Sequence, residues 1–331
     1  MTGAVRWGVL STGRQAAAFV EDLALLDEAE LVAVGSRSAA SARSFAARHG
    51  VPRAYGGYEE VAADPDVRIV YVAAVNSAHH RAVRTCLEAG KHVLCEKPLT
   101  TNVRDAEDLM RLAAGRGLLL MEAMWTRCLP AVREAARLVE AGAVGVPHLL
   151  RAATGGPAPP HAVRRLRDPD GGGALLDSGV YPLALAELFL GSPRYVAARS
   201  VTTTPPVDDT TAVLLGYPSG AMAELSCSFA ADLPARAELT GTGGRLELPA
   251  PFYRADRVLL HPAGGGGPPR EWRLPPTGHG YTHEAREAMR CVRAGLTQSP
   301  LVPWSATRAV LSVTDAVRRK AGVRLVDGEP A

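Results

Sequence analysis

The chain has 331 residues, 47% of them hydrophobic and 21% charged, which suits two modest globular domains. Its 37 basic and 34 acidic residues leave a net charge of +3, too small and too dispersed for a nucleic-acid surface. No apolar run is long enough to cross a bilayer, no charged-then-apolar leader precedes the first strand, and the five cysteines lack metal-ligand spacing, so no membrane, disulfide or metal is expected and a cytoplasmic setting is the default.

Val5 to Leu10 reads as a strand, followed by the turn Ser11-Thr12-Gly13-Arg14-Gln15-Ala16 and a helix to about Leu26. On the dinucleotide fingerprint, Ser11 takes the first glycine position, Gly13 the second and Ala16 the third. Gly13 lets a pyrophosphate approach the backbone, and the free N–H groups of the helix start would receive it. A second strand, Glu30 to Gly35, ends at Ser36-Arg37-Ser38, where a dinucleotide's ribose is read. An acid there would select NAD(H), whereas an arginine fork and a hydroxyl suit a 2′-phosphate, so NADP(H) is expected, with NAD(H) as the second option. Ser36 or Ser38 also suits the N-cap of the helix from Ala39 to Arg48.

Val67 to Val75 is a third, nearly continuous apolar strand ending at Asn76, a residue placed for the nicotinamide side or the substrate. His79 and His80 open the next helix and are not expected to bind metal. His92-Val93-Leu94-Cys95-Glu96-Lys97-Pro98 then reads as a buried strand stopped by two charges and a proline. In a parallel sheet, ligands sit beyond the carboxyl ends of the strands, where Lys97 would lie. A helix from Thr101 to Ala114 and a strand from Leu118 to Met121 complete five strands alternating with helices, which predicts a doubly wound parallel sheet over residues 1–123.

The pattern then changes. A helix spans Pro130 to Glu140, a strand Val146 to Ala153, and a loop rich in Gly, Pro and Arg runs from Thr154 to Gly173, read as a wall or lid over a cleft. Its cluster Arg164, Arg165 and Arg167 suits an anion or plain solvation. Gly171-Gly172-Gly173-Ala174-Leu175-Leu176-Asp177 feeds a helix to Leu190, and Asp177 and Tyr181 share a face if that helix has begun. Taken singly, Asp177 reads as an N-cap and Tyr181 as a core aromatic. Short alternating segments (196–202, 212–216, 221–229, 236–240 and 245–248) predict a largely antiparallel sheet, with residues 264–267 at a hairpin tip. Helices from Tyr281 to Ala294 and Ser305 to Lys320 close an α+β domain over 124–331, whose last helices are free to pack back on the first domain.

With these residues collected, the chain resembles the glucose–fructose oxidoreductase/inositol dehydrogenase (Gfo/Idh/MocA) family along essentially its whole length. The Ser11–Ala16 turn, Glu96-Lys97-Pro98, and Gly172 to Asp177 with Tyr181 carry the resemblance. Met121 to Arg127, Val207-Asp208-Asp209-Thr210 and Gly322-Val323 are similar to its branch of dimeric dihydrodiol dehydrogenases and NADP-dependent D-xylose dehydrogenases. The resemblance implies a Rossmann domain and an NADP(H)-dependent oxidoreductase acting on a sugar or related vicinal diol, a small-molecule substrate. A homodimer or higher oligomer through the open-faced C-terminal sheet is expected because a half-covered antiparallel sheet leaves an apolar face to bury. The resemblance implies Lys97, Asp177 and Tyr181 at the reacting carbon, Glu96 beside the cofactor, and Trp125 and Arg127 lining the substrate site. Tyr181 stands where inositol dehydrogenases place a histidine, which implies the dihydrodiol/xylose branch, and Cys128 stands where an aromatic is common, which implies a differently shaped pocket. On this reading Tyr181 is the acid/base, Lys97 the cation that favours phenolate, and Asp177 the group that orients Lys97, with Lys97 itself the other proton carrier. Two rival readings are a keto-sugar reductase whose three loop arginines meet a nucleotide diphosphate, and a non-catalytic NADP(H)-binding regulator.

Overall fold

Strand after strand in the first half is apolar on both faces, and the chain buries them between two layers of helices. A computed structural model describes residues 3–204 and 207–323, so the outer limits of the two predicted domains lie outside the described residues. The first half runs β1 (Val5–Leu10), α1 (Arg14–Leu23), β2 (Ala29–Gly35), α2 (Ala39–His49), β3 (Arg53–Tyr55), α3 (Tyr58–Ala63), β4 (Ile69–Val72), α4 (His79–Glu88), β5 (His92–Glu96), α5 (Val103–Arg116) and β6 (Leu120–Ala123). The strands pair in parallel in the order β3-β2-β1-β4-β5-β6. The order reverses between β1 and β4, and that crevice is where such sheets bind ligands.

The sheet has six strands where the sequence predicted five. β3 is three residues long, too short to carry a periodic signal, and it forms the sheet's edge beside β2. The third predicted strand shrinks to Ile69–Val72, because only these residues find partners in both β1 and β5.

The second half runs α6 (Pro130–Glu140), β7 (Pro147–Gly155), α7 (Val163–Leu166), α8 (Val180–Leu190), β8 (Tyr195–Thr202), β9 (Asp208–Gly216), β10 (Met222–Ser228), β11 (Ala237–Gly241), β12 (Gly244–Leu248), β13 (Arg257–Pro262), β14 (Arg270–Arg273), α9 (Thr282–Arg293) and α10 (Trp304–Lys320). Its eight strands lie in the order β14-β13-β12-β11-β7-β10-β9-β8, antiparallel throughout except for the parallel pair β7 and β10. β13 and β14 escaped the sequence reading, and the 264–267 tip joins them. One face of this sheet carries α8, while Tyr195, Val201, Leu214 and Met222 remain exposed on the other.

A single apolar core joins the two halves. On β4, Ile69 and Tyr71 face the same cluster as Trp125, Leu129 and the C-terminal strands, whereas Val70 and Val72 face α4 and α5 in a second cluster. Polar ties reinforce the junction. Asp22 on α1 accepts N–H groups from His279 (2.7 Å), Tyr281 (2.7 Å) and Thr282 (3.3 Å), and Asp315 on α10 accepts from Val103 N (3.0 Å).

Candidate active site

β5 delivers Glu96 and Lys97 to the crevice, and the chain leaves through a cis Lys97–Pro98 bond. The Glu96 carboxylate is buried. It accepts the Tyr71 hydroxyl and Gln15 Nε2 (3.0 Å) on one oxygen and Lys97 N (3.2 Å) on the other. Burial pushes its pKa up, and Lys97 and these donors offset only part of that push. Behind Pro98, the buried ring of His79 bridges the carbonyls of Pro98 (2.8 Å) and Ala74 (3.1 Å), while His80 pairs with Asp108 (3.0 Å).

Lys97, Asp177 and Tyr181 meet, 80 and 84 residues apart in sequence. Lys97 Nζ donates to the main-chain carbonyl of Asp177 and lies 4.7 Å above the centre of the Tyr181 ring. Burial works against the ammonium, but Tyr181, Asp177 and Glu96 outweigh it and hold the Lys97 pKa above its ordinary value. The phenol goes the same way. Burial raises its pKa, and the pull of Lys97 and of the Trp125 N–H reverses only part of the rise. Trp125 Nε1 donates to the Tyr181 oxygen (3.1 Å), and the Tyr181 ring stacks on Tyr253 with centroids 5.3 Å apart.

The segment bearing Asp177 is wound as a five-residue π turn, Leu175–Gly179, that runs straight into α8. Asp177 is thus already helical, its N–H bonded to Gly173 O (3.1 Å), and it is not the N-cap its position suggested. Its carboxylate turns to Arg165 Nη1 (2.7 Å), not to Lys97. Burial opposes ionisation there, yet Lys97 and Arg165 together hold the carboxyl below its ordinary range. Arg165 comes from the predicted lid, residues 154–173, whose first two residues belong to β7 and whose remainder reaches across to the first half. Asn76 Nδ2 donates to Gly171 O (2.8 Å), and a Cβ on Gly171 would meet Ser77 N at 2.8 Å.

The remaining predicted residues divide. Ser11 adopts a left-handed φ of 103°, and Gly13 caps α1 with only Ser11 Oγ near the place of an added Cβ. The turn therefore leaves its backbone open to a close ligand. Thr12 is half-buried and Arg14 exposed, while the Gln15 side chain is drawn to Glu96. Ser36 Oγ accepts Ser38 N (3.4 Å) and Ser38 Oγ caps α2 through Ser41 N (3.3 Å), so Arg37 stands exposed at the end of β2 with no carboxylate paired to it among the described residues. Arg127 departs from its expected place. It is buried, with Nη1 on Glu187 and Nε on Leu301 O (2.9 Å), which ties α8 to the approach of α10 and leaves its head inside the protein. Tyr253 and Tyr281 were not foreseen as site residues, and Arg165 was expected only against a diphosphate in the rival reading. Only Arg165 had a sequence signal, the basic cluster, whereas Tyr281 reaches Trp125 (ring centroids 5.1 Å apart) from the far end of the chain.

Residues 5–124 match the oxidoreductase family with an NAD-binding Rossmann fold, and residues 132–247 match the GFO/IDH/MocA C-terminal domain. The chain belongs to the Gfo/Idh/MocA family. It is therefore an oxidoreductase of that family with a Rossmann NAD(P)-binding domain. It is 34% identical over 333 residues to trans-1,2-dihydrobenzene-1,2-diol dehydrogenase of Bos taurus, covering 97% of this chain and 98% of the relative, and 35% identical over 329 residues to the Danio rerio enzyme, with the same coverages. Among solved structures, an aldose-aldose oxidoreductase from Caulobacter crescentus superimposes with a TM-score of 0.87 at 26% identity, covering 96% of this chain and 98% of that one. A 3-ketoreductase from Actinomadura kijaniata, in complex with TDP-benzene and NADP, gives 0.82 at 29% identity, with 96% and 97% covered. Among the described residues, no helix is long and apolar enough to cross a membrane, and no group of three or more His, Cys, Asp or Glu could hold a metal ion. The five cysteines are free and buried.

Proposed function

We propose that this Gfo/Idh/MocA oxidoreductase is an NADP(H)-dependent enzyme that moves hydride between nicotinamide and a carbinol or carbonyl carbon of a sugar or vicinal diol, of the dihydrodiol/aldose type. The observation that carries this reading is the Tyr181 phenol lying against the Lys97 ammonium with the Trp125 N–H on its oxygen. A pure NADP(H)-binding regulator would need no such arrangement. The dinucleotide, when bound, supplies or accepts the hydride. The open Ser11–Gln15 backbone at the start of α1 suits its pyrophosphate, Ser36 and Arg37 its 2′-phosphate, and Asn76 and Glu96 the nicotinamide side.

In this scheme Tyr181 takes the hydroxyl proton as a carbinol is oxidised and returns it to the carbonyl oxygen in reduction. Lys97, 4.7 Å from the ring centre, stabilises the phenolate. Asp177 orients Lys97 through its main-chain oxygen, and its carboxylate, steadied by Arg165, is left to accept a second substrate hydroxyl. The Trp125 ring forms the flat apolar wall of the substrate site. Tyr181→Phe should lower turnover by about 10²–10⁴-fold while NADP(H) still binds; wild-type turnover in this variant would remove Tyr181 from the scheme.

A second reading, a keto-sugar reductase, is favoured by the likeness to the 3-ketoreductase structure. Against a diphosphate site, Arg165 is engaged with Asp177 and Arg167 lies 3.8 Å from Asp209. A panel of aldoses, diols and nucleotide-linked keto-sugars, assayed with NADP(H) and NAD(H) in parallel, separates the two. The exposed sheet face around Leu214 and Met222 supports a homodimer.

A further inference from the structure

The segment Val207-Asp208-Asp209-Thr210 has no part in the scheme above, yet it lies directly beneath the helix that carries it. Asp208 is 2% exposed. Its Oδ2 accepts Leu175 N (2.7 Å) and the Thr211 hydroxyl (3.2 Å), so it serves the first amide of the π turn. Among the described residues no other residue donates to its Oδ1, which occupies the space that a side chain on Gly173 would need. Gly173 also has a φ of 107°, so two independent constraints exclude any larger residue there. The next residue holds the lid: Asp209 lies 3.8 Å from Arg167, and its carbonyl accepts Phe229 N (2.7 Å), which anchors it to the end of β10.

The Asp208 carboxylate feels the buried Arg318 of α10, which donates to Thr101 O (2.7 Å) in the loop just after Lys97-Pro98. The two segments that must meet for catalysis, the turn with Asp177 and Tyr181 and the loop after β5, are thus seated on neighbouring buried groups. A carboxylate buried with few donors is costly for stability alone. Its place against Leu175 N and Gly173 points to geometry.

We propose that Asp208 is a positioning residue for hydride transfer: by holding Leu175 N–H against Gly173 it fixes the π turn, and through it the distance from Lys97 to the Asp177 carbonyl and the Tyr181 phenol. The proposal rests on the reading of Tyr181 as acid/base. The test is a double-mutant cycle between Asp208→Ala and Tyr181→Phe, with Asp208→Asn as the conservative variant, read as kcat and as the NADP(H) dissociation constant. D208A should lower kcat by about 10–100-fold, as small misplacements at a reacting centre do, with NADP(H) binding unchanged. D208N, which keeps an acceptor for Leu175 N–H, should restore most of the loss. In the Y181F background D208A should add less than about threefold, because its effect is exerted through the residue already removed. Losses that multiply in the double variant, or an unchanged kcat in D208A, would overturn the positioning role and leave Tyr181 in place. Wild-type turnover in Y181F alone would overturn both, before Asp208 is touched. If D208A does not fold, Thr211→Val, which removes the hydroxyl bracing Oδ2, carries the same cycle with a smaller loss.

Discussion

Lys97→Met removes one positive charge from beneath the phenol while keeping a side chain of similar length. The ammonium lies 4.7 Å from the Tyr181 ring centre, and at that separation two unit charges interact by about 2–3.5 kcal/mol for an effective dielectric of about 20–40. Because about 1.4 kcal/mol is a factor of ten, loss of the cation reduces the phenolate fraction by roughly 30–300-fold. The direction in the wild type follows from burial, which already holds the phenol above its ordinary pKa against the pull of Lys97. Lys97, raised in turn by Tyr181, Asp177 and Glu96 against the effect of its burial, stays charged across the neutral range.

Oxidation needs the base form of Tyr181, so kcat/KM for a carbinol substrate should climb about tenfold per pH unit between about pH 7 and 9. Reduction needs the acid form and should be flat over the same interval. In K97M the oxidation line should keep its slope and drop by the factor above. Initial rates of NADPH formation and consumption, at constant ionic strength in both directions, measure this. An oxidation rate in the wild type that is flat or falls with pH, or a K97M line within threefold of it, would refute the electrostatic coupling.

Asp22 holds three backbone N–H groups of the segment leading into α9, two of them at 2.7 Å, and is 1% exposed. Asp22→Ala should therefore cost about 2–5 kcal/mol of stability by urea unfolding, and a loss below about 1 kcal/mol would mean the N–H groups find other partners. Arg37→Ala should weaken NADP(H) binding by about 10–100-fold, the worth of a charge-assisted hydrogen bond, and leave NAD(H) binding unchanged; equal losses for both would place the 2′-phosphate elsewhere. Leu214→Glu, on the exposed face of the C-terminal sheet, should convert a sedimenting dimer to monomer, and a monomeric wild type would remove that interface.

Residues whose roles are local were readable in the chain. Lys97 was legible because charges and a proline end an apolar strand there, and Gly13 because a strand, a turn and a helix follow one another at the required spacing. Spacing placed Asp177 and Tyr181 on one face only if the helix had begun, and the π turn that winds Asp177 was not readable from it. Whether Lys97 meets the carboxylate or the carbonyl of Asp177 was not legible either, because a π turn sets that, and the Asp208 carboxylate 33 residues on serves the turn's first amide. Nor was the burial of Arg127 on Glu187, or the cap that Asp22 provides 257 to 260 residues downstream. β3 and β14, three and four residues long, gave no period to detect. Hydrophobic alternation and turn chemistry act over a few neighbouring residues and so indicate the longer elements, while strand ends such as those of β4 are set by the partners they find. Which polar atoms finally touch depends on how those elements pack across one shared core, and only the tertiary structure decides that.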